Sequence, residues 1–97
     1  MIEHQPAIYI MANQYRGTIY TGVTSNLIKR VYQHKQGEMR GFTTRYACHL
    51  LVYYELHDEI FSAIEREKQI KAGSRNKKII LIEKNNPEWR DLYQALR

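Results

Sequence analysis

Two ionisable residues interrupt the apolar face of a helix that is predicted in the second half of the chain. The inward face of this helix begins with Ile60 and Ala63, and the same stripe continues through Glu67 and Lys71. Glu65 points well away from the stripe and is expected to be a solvent-exposed carboxylate. A carboxylate on a buried face is unfavourable unless it is paired or bound to a metal ion. Glu67 therefore has two interpretations, a salt bridge with Lys71 or a ligand for a divalent cation.

The first predicted helix carries a second pair of polar residues, Arg30 and His34, which are four positions apart. Both flank the apolar stripe of Leu27 and Val31, so a position at the edge of the core is one interpretation. The alternative is that both side chains reach into a cleft, where an arginine can clamp a phosphate through two parallel hydrogen bonds. A histidine beside an apolar stripe is more often a packed core residue, and the sequence leaves both interpretations of His34 open.

Two tyrosines occupy equivalent places in two short apolar runs. Tyr9 and Tyr20 each follow an isoleucine, and a polar loop that ends in Gly17 separates the runs. Most tyrosines in sheets only pack, but two phenols can share a site if they project from one face, which requires Tyr9 to lie opposite Tyr20 or offset by two. With Arg30 and Glu67 they supply what phosphodiester cleavage needs: a carboxylate for a divalent ion, a cation for the phosphate and a hydroxyl to handle a proton.

These residues need a scaffold that brings two strands and two helices together. The predicted element order is β-β-α-β-α-α-α, an α+β fold with a small three-stranded, antiparallel-containing sheet flanked by helices. The strands are predicted at 7–12, 18–23 and 49–56, the last one buried on both faces. Four helices are predicted. The first begins after a cap at Ser25 or Asn26 and ends at Gly37, and the second runs from a cap at Asp58 to Lys71. The third covers 74–85, and the fourth covers 87–96 with Pro87 in its first turn. The stripe of the first helix comprises Leu27, Ile28, Val31 and Tyr32.

Length and composition restrict the class of protein. The 97 residues are enough for one domain, predicted over 1–97 with its core at about 5–84 and a C-terminal helix at 87–96. No apolar run approaches the roughly 20 residues that span a bilayer, and the first residues show no secretory signal. Cys48 is the single cysteine, which suits a reducing compartment. A cytoplasmic protein without a membrane partner is expected.

The chain is basic, with a formal net charge of +5. Seven of its fifteen lysines and arginines fall between positions 66 and 84. A solvated helix surface is one explanation, and a nucleic-acid partner is the other, since nucleic acid is the commonest large anion that a cytosolic protein meets. The loop 41–46, "GFTTRY", could also contact a nucleic-acid backbone. The candidate binding residues are Lys29, Arg45, Lys71, Arg75, Lys77 and Lys78.

The chain resembles the GIY-YIG nuclease superfamily. The resemblance rests on "AIY" at 7–9, "YTG" at 20–22, Arg30, Glu67 and an asparagine near the C-terminus. The segments "GTIYTGVTSNLIKRVYQHKQG", "GFTTRYACHLLVYYE", "AIEREKQIK" and "NNPEWRDL" are similar to small stand-alone bacterial GIY-YIG proteins, over about residues 5 to 93. Ala7 replaces the first glycine of the name motif and Thr21 replaces an isoleucine, while both tyrosines stay in place.

The resemblance implies a GIY-YIG fold and a catalytic site of Tyr9, Tyr20, Arg30, His34 and Glu67. It further implies that Glu67 holds one divalent ion, Mg²⁺ or Mn²⁺. It also implies that Tyr9, the tyrosine of the first motif, is the general base. An unperturbed phenol is a poor base at neutral pH, so Arg30 is expected to stabilise its anion. An asparagine would support the site, with Asn86 preferred over Asn85.

The function implied in this way is metal-dependent endonuclease activity on DNA, in DNA repair or processing. A chain of this size is expected to have no separate recognition domain, so low sequence specificity is expected, and DNA shape or single-strandedness could matter more than sequence. No small-molecule cofactor is expected. One alternative is a nucleic-acid-binding module that keeps the fold and cuts little or not at all. Another is RNA as the main substrate, because charge does not distinguish the two polymers.

Overall fold

The elements follow the predicted order. A computed structural model describes residues 5–38, 41 and 45–96. Strands β1 and β2 span Ala7–Ala12 and Ile19–Thr24, helix α1 spans Leu27–Lys35, and strand β3 spans Leu50–Leu56. Helices α2, α3 and α4 then span Ile60–Ala72, Arg75–Asn85 and Tyr93–Leu96. In the described part of the chain, no helix has the length and apolar character needed to cross a membrane.

The sheet has β1 at its centre, with the strand order β2-β1-β3 and both pairings antiparallel. All six residues of β1 are buried. This explains why its sequence, "AIYIMA", is apolar without alternation, since side chains on both of its faces pack against other elements. The pairing of β1 with β3 shifts register between Ile10 and Met11, whose partners are Tyr53 and Leu51.

Two hydrophobic clusters lie on opposite faces of this sheet, as the alternation of side chains along β1 requires. The odd-numbered residues of β1, which include Tyr9, pack with Leu27 and Val31 of α1 and with Tyr93 and Leu96 of α4. The even-numbered residues of β1 pack with residues of α2, α3 and the segment that follows α3. The face shared with α1 is therefore the one that carries Tyr9.

The turn between β1 and β2 is fixed against α3. The Arg16 side chain donates two hydrogen bonds to the Glu83 carboxylate, at 2.7 and 2.6 Å. The indole N–H of Trp89 donates to the same carboxylate, and the Arg75 guanidinium donates to the backbone carbonyls of Arg16 and Gly17. Arg16 has a φ of 52°, in the left-handed region, so these contacts hold a backbone conformation that is otherwise unfavourable.

The predicted C-terminal helix at 87–96 is wrong in its first half, because only Tyr93–Leu96 is helical. The Asn86 side chain donates to the carbonyl of Arg90 and accepts from the Arg90 backbone N–H, which closes a turn in place of helical bonds. The backbone N–H of Leu92 then donates to the Leu51 carbonyl at 2.8 Å. The segment before α4 is thus held against the outer edge of β3.

The caps of the helices were predicted in part. Asn26 caps α1 by accepting from the backbone N–H of Lys29, which is one of the two predicted alternatives. Asp58 was the wrong cap for α2: the N-cap position is Glu59, whose side chain makes no capping hydrogen bond. The Ser62 hydroxyl instead donates to the Glu59 carbonyl.

Candidate active site

Tyr9 and Tyr20 project from the same face of the hairpin. Tyr9 pairs with Gly22 and Tyr20 pairs with Met11, so the two tyrosines are offset by two positions across the strands. Their ring centroids are 6.3 Å apart. This confirms the geometric requirement set by the sequence for a shared site.

Gly22 is required by the close approach of Tyr9. A Cβ atom placed on Gly22 would lie 2.5 Å from the Tyr9 hydroxyl oxygen and 2.6 Å from Cζ of its ring. Tyr9 is 0 % exposed, so its ring is closely surrounded by other groups. A glycine opposite Tyr9 therefore gives the phenol its position, which sequence reasoning did not foresee.

His34 completes a cluster of three rings. Leu27, Val31 and His34 form the buried side of α1, whereas Tyr32 is 49 % exposed and its predicted place in the stripe was wrong. His34 Nε2 and the Tyr9 hydroxyl oxygen share a hydrogen bond of 2.9 Å. The spacing 27, 31, 34 was the available signal for this burial, since positions four and seven residues apart lie on one helix face.

The His34 imidazole is neutral at neutral pH. Burial is the main cause that lowers its pKa to about 4, and the nearby positive charge of Arg30 and the His49 side chain contribute to the same shift. Only 3 % of His34 is exposed, and within the described residues its Nδ1 has no hydrogen-bond partner. The bond with Tyr9 is therefore the polar contact that the structure gives to this ring.

Tyr9 is a protonated phenol in this state. Burial raises its pKa above the ordinary value, and Tyr20 and the Glu67 carboxylate raise it as well. Arg30 acts in the opposite direction, through its charge and through hydrogen bonding. The expected effect of Arg30 on the phenol is present, but burial outweighs it, so a Tyr9 anion is not favoured here.

Glu67 and Lys71 form the salt bridge that the sequence allowed. Lys71 Nζ is 2.9 Å from Glu67 Oε2, and the Glu67 side chain is 13 % exposed. Lys71 Nζ also lies 6.0 Å from the centroid of the Tyr20 ring. Glu65 is exposed, as expected. Because Glu67 also acts on the pKa of Tyr9, its carboxylate belongs to the Tyr9 cluster as well as to the ion pair.

Glu67 fits a divalent ion as a single protein ligand. Among the described residues, no group of three or more histidine, cysteine or acidic side chains is arranged to hold a metal. Mg²⁺ is commonly bound through one or two carboxylates, with water and substrate phosphates as its other ligands. A carboxylate that is 13 % exposed and reachable from the surface suits that mode, and the Lys71 ammonium is the cation that now neutralises it.

Two grooves adjoin the cluster. One has a volume of about 300 Å³ and is lined by Ile19, Tyr20, Thr21, Lys71 and Lys78. The other, of about 220 Å³, follows the start of α1 and includes Lys29 and Arg30 in its lining. Tyr20 thus opens onto a groove, while Tyr9 and His34 are buried.

Several of the predicted binding residues already hold contacts within the protein. The Arg75 guanidinium donates to the carbonyls of the β1–β2 turn, as described above, and Lys78 Nζ donates to the carbonyls of Lys71 and Gly73 at the end of α2. Lys29 and Lys77 are exposed. Arg45 is exposed and lies 5.6 Å from the Tyr46 ring centroid, while positions 42–44 of the predicted 41–46 contact loop lie outside the described residues.

Asn86 lies apart from the other predicted site residues. Its side-chain nitrogen donates to the carbonyl of Val52 at 3.0 Å, and the other side-chain hydrogen bonds of Asn86 join the backbone of Arg90. These partners are at the β3 edge of the sheet, whereas Tyr20 is in β2 at the other edge. Asn85 is exposed. The structure therefore brings together Tyr9, Tyr20, Arg30, His34 and Glu67, and gives Asn86 a role in the fold.

The fold and this site define a nuclease-type domain, and comparison with known proteins gives the family. The chain matches the GIY-YIG catalytic domain over residues 5–79. It is 38% identical over 66 residues to a UPF0213 protein of Staphylococcus saprophyticus, covering 68% of this chain and 80% of that protein. It is 40% identical over 72 residues to a UPF0213 protein of Syntrophus aciditrophicus, covering 73% and 82%. The chain belongs to the GIY-YIG family.

A solved structure shares the fold. The solution NMR structure of a UPF0213 protein from Bacillus halodurans superimposes with a TM-score of 0.54 at 23% sequence identity, covering 93% of this chain and 95% of that one. At this identity the likeness concerns the fold alone. It agrees with the mixed architecture of a three-stranded antiparallel sheet flanked by helices.

Proposed function

We propose that the protein is a metal-dependent endonuclease that hydrolyses phosphodiester bonds in DNA with low sequence specificity. The observation that carries this proposal is the cluster of Tyr9, Tyr20, Arg30, His34 and Glu67. These residues come from β1, β2, α1 and α2, and they interact next to basic grooves. A core that served only stability would gain little from collecting two phenols, an imidazole and a carboxylate in one place.

The half-buried side chains at the grooves are proposed to bind the scissile phosphate. Tyr20 lines one groove and Arg30 lines the other, so a phosphate between them would meet a hydroxyl donor and a guanidinium. Arg30 can make two parallel hydrogen bonds to phosphate oxygens, which fixes the orientation of the phosphorus for attack. Lys29, at the rim beside Arg30, would contact a neighbouring phosphate.

Tyr9 and His34 are proposed to receive the proton of the attacking water. Water adds to phosphorus, the bond from phosphorus to the leaving oxygen breaks, and the water proton must pass to a base. A protonated Tyr9 can accept that proton only by passing its own to a neighbour, and His34 Nε2 at 2.9 Å can take it in the tautomer whose proton is on Nδ1. Tyr9 thereby acts as a proton carrier, which does not require a stable phenolate.

Glu67 is proposed to hold the divalent ion, Mg²⁺ or Mn²⁺. When bound, such an ion would stabilise the charge that develops on the leaving oxygen. The role of Glu67 is to provide a negative charge at a fixed position, because α2 packs against β1 and β2 and the side chain is only 13 % exposed.

The test of this proposal compares two glutamates of one helix. Glu67→Gln keeps the side-chain size but loses the charge that a hard divalent ion requires, so we expect cleavage to be abolished while folding and DNA binding remain. Glu65→Gln, at an exposed position of the same helix, should cut like the parent. Each variant is incubated with labelled duplex, single-stranded, flap and branched DNA and with RNA, with Mg²⁺, Mn²⁺ or EDTA, and its melting temperature is recorded.

A nucleic-acid-binding module without cleavage is the second candidate. It is favoured by the complete burial of Tyr9 and by the Glu67–Lys71 pair, which both suit a resting, structural arrangement. A partly exposed pair of this kind contributes about 0–1 kcal/mol to stability. Two results would favour this second function. One is a Glu67→Gln variant that cuts DNA at the parental rate. The other is a parent protein that binds DNA but does not cut it with Mg²⁺ or with Mn²⁺.

A further inference from the structure

Lys71 holds the one carboxylate that the proposed function assigns to a metal ion. Its ammonium is 2.9 Å from Glu67 Oε2, and the pair is asymmetric, because the Lys71 side chain is 51 % exposed and that of Glu67 is 13 % exposed. The carboxylate is therefore fixed and the ammonium is at the surface. Between the two partners, Lys71 is the one with room to leave.

A divalent ion and this ammonium cannot both occupy the same oxygen of Glu67, since two cations in contact repel each other. Displacing Lys71 requires little energy, because partly exposed ion pairs four residues apart on a helix are weak. The lysine stem has four flexible carbons, so the ammonium can swing away without movement of α2.

The groove beside the pair offers the displaced ammonium a new partner. Lys71 lines the groove of about 300 Å³ together with Tyr20 and Lys78. Lys78 Nζ is hydrogen-bonded to the carbonyls of Lys71 and Gly73, so its charge already serves the end of α2. A Lys71 ammonium released from Glu67 would supply this groove with a cation that is available to a phosphate.

We propose that Lys71 is an exchangeable counter-ion, which pairs with Glu67 in the metal-free protein and transfers to a nucleic-acid phosphate when a divalent ion takes Glu67. This inference rests on the proposed function and adds to it a coupling between the two ligands. Metal binding then strengthens nucleic-acid binding, and by thermodynamic linkage nucleic acid strengthens metal binding by the same factor. Because of this coupling, the state with both metal and nucleic acid bound is favoured over the states with only one of them bound.

The experiment measures binding without turnover. Mn²⁺ is titrated into the protein alone and followed by electron paramagnetic resonance, for the parent, Lys71→Met, Lys68→Met and Glu67→Gln. Lys68→Met is the matched control, because Lys68 is an exposed lysine of the same helix and its loss changes the net charge equally. We expect Lys71→Met to tighten Mn²⁺ binding by about two- to fivefold, Lys68→Met to change it by less, and Glu67→Gln to remove it.

The second measurement tests the transfer. The affinity for a fluorescent phosphorothioate oligonucleotide, chosen to resist cleavage, is compared with and without Mn²⁺. The parent and Lys68→Met should gain more affinity with Mn²⁺ than Lys71→Met does, because only they add a released ammonium to the contact between the ion and the phosphate. If Mn²⁺ binds through Glu67 and Lys71→Met behaves like Lys68→Met, the exchange is refuted while the metal-dependent function stands. If the parent shows no Mn²⁺ binding that depends on Glu67, both the proposed function and the exchange fail.

Discussion

The burial of His34 predicts a specific loss of stability in mild acid. The pKa of His34 falls from 6.5 in the unfolded chain to about 4 in the folded protein. Between these values the unfolded state binds the proton and the folded state does not, so the free energy of unfolding decreases as the pH falls. Well above pH 6.5 the imidazole is neutral in both states, and His34 adds no pH dependence there.

The size of this effect follows from the shift. A difference of about 2.5 pKa units corresponds to about 3 kcal/mol, most of which should be lost by pH 4.5. That is a large part of the stability of a small domain, which is commonly about 5–15 kcal/mol.

The assay compares the parent with His34→Gln, which keeps a hydrogen-bonding side chain near Tyr9 but does not titrate. Urea unfolding is measured for both proteins at intervals from pH 8 to pH 4.5. Carboxylates titrate in both proteins and cancel in the difference, so the parent should lose about 2.5 kcal/mol relative to the variant. A constant difference over this range, or an NMR titration of His34 with its midpoint near 6.5, would refute the assignment of a buried neutral imidazole.

Three further outcomes test the other parts of the site. Gly22→Ala should lower the free energy of unfolding by about 1–3 kcal/mol in urea titrations and displace Tyr9, since its Cβ has no room beside that ring; an unchanged protein would contradict the close approach. Asn86→Ala should lower the free energy of unfolding by about 2–3 kcal/mol, because three hydrogen bonds to backbone groups are lost, and the folded protein should still cut. If turnover is lost and stability is not, Asn86 has a role in the reaction. DNA affinity should fall steeply with salt, and Lys77→Glu should weaken binding to unrelated sequences alike; affinity that ignores salt would remove the electrostatic argument.

Local sequence signals predicted most of the fold. The two strands of the hairpin, the cap at Asn26 and the α3 helix after Ser74 could be identified because alternation, capping and helix periodicity are properties of neighbouring residues. The same periodicity distinguished the inward-facing Glu67 from the exposed Glu65 on one helix. The prediction of a helix over all of 87–96 was wrong because contacts distant in sequence determine the conformation of its first half.

Long-range contacts decided what the local pattern could not. Residues 87–92 are a plausible start of a helix by sequence, but the backbone N–H of Leu92 bonds to Leu51, and the Asn86 amide bonds to Val52, 34 positions earlier in the chain. Both partners belong to β3, so the alternative to the helix exists only once the sheet has formed.

The chemical state of the site was also decided by tertiary structure. The sequence identified Tyr9, Arg30 and His34 as candidates from their types and spacing, and it predicted that Arg30 would favour the Tyr9 anion. The direction of a pKa shift depends on how much water surrounds the group, and the burial of Tyr9 under α1 outweighs the charge of Arg30. His34 lies beside Tyr9, and Tyr32 lies in solvent, because the orientation of α1 on the sheet is set by packing across the whole core. Spacing along the chain determines which residues can share a helix face, and only the packed fold determines which face is buried.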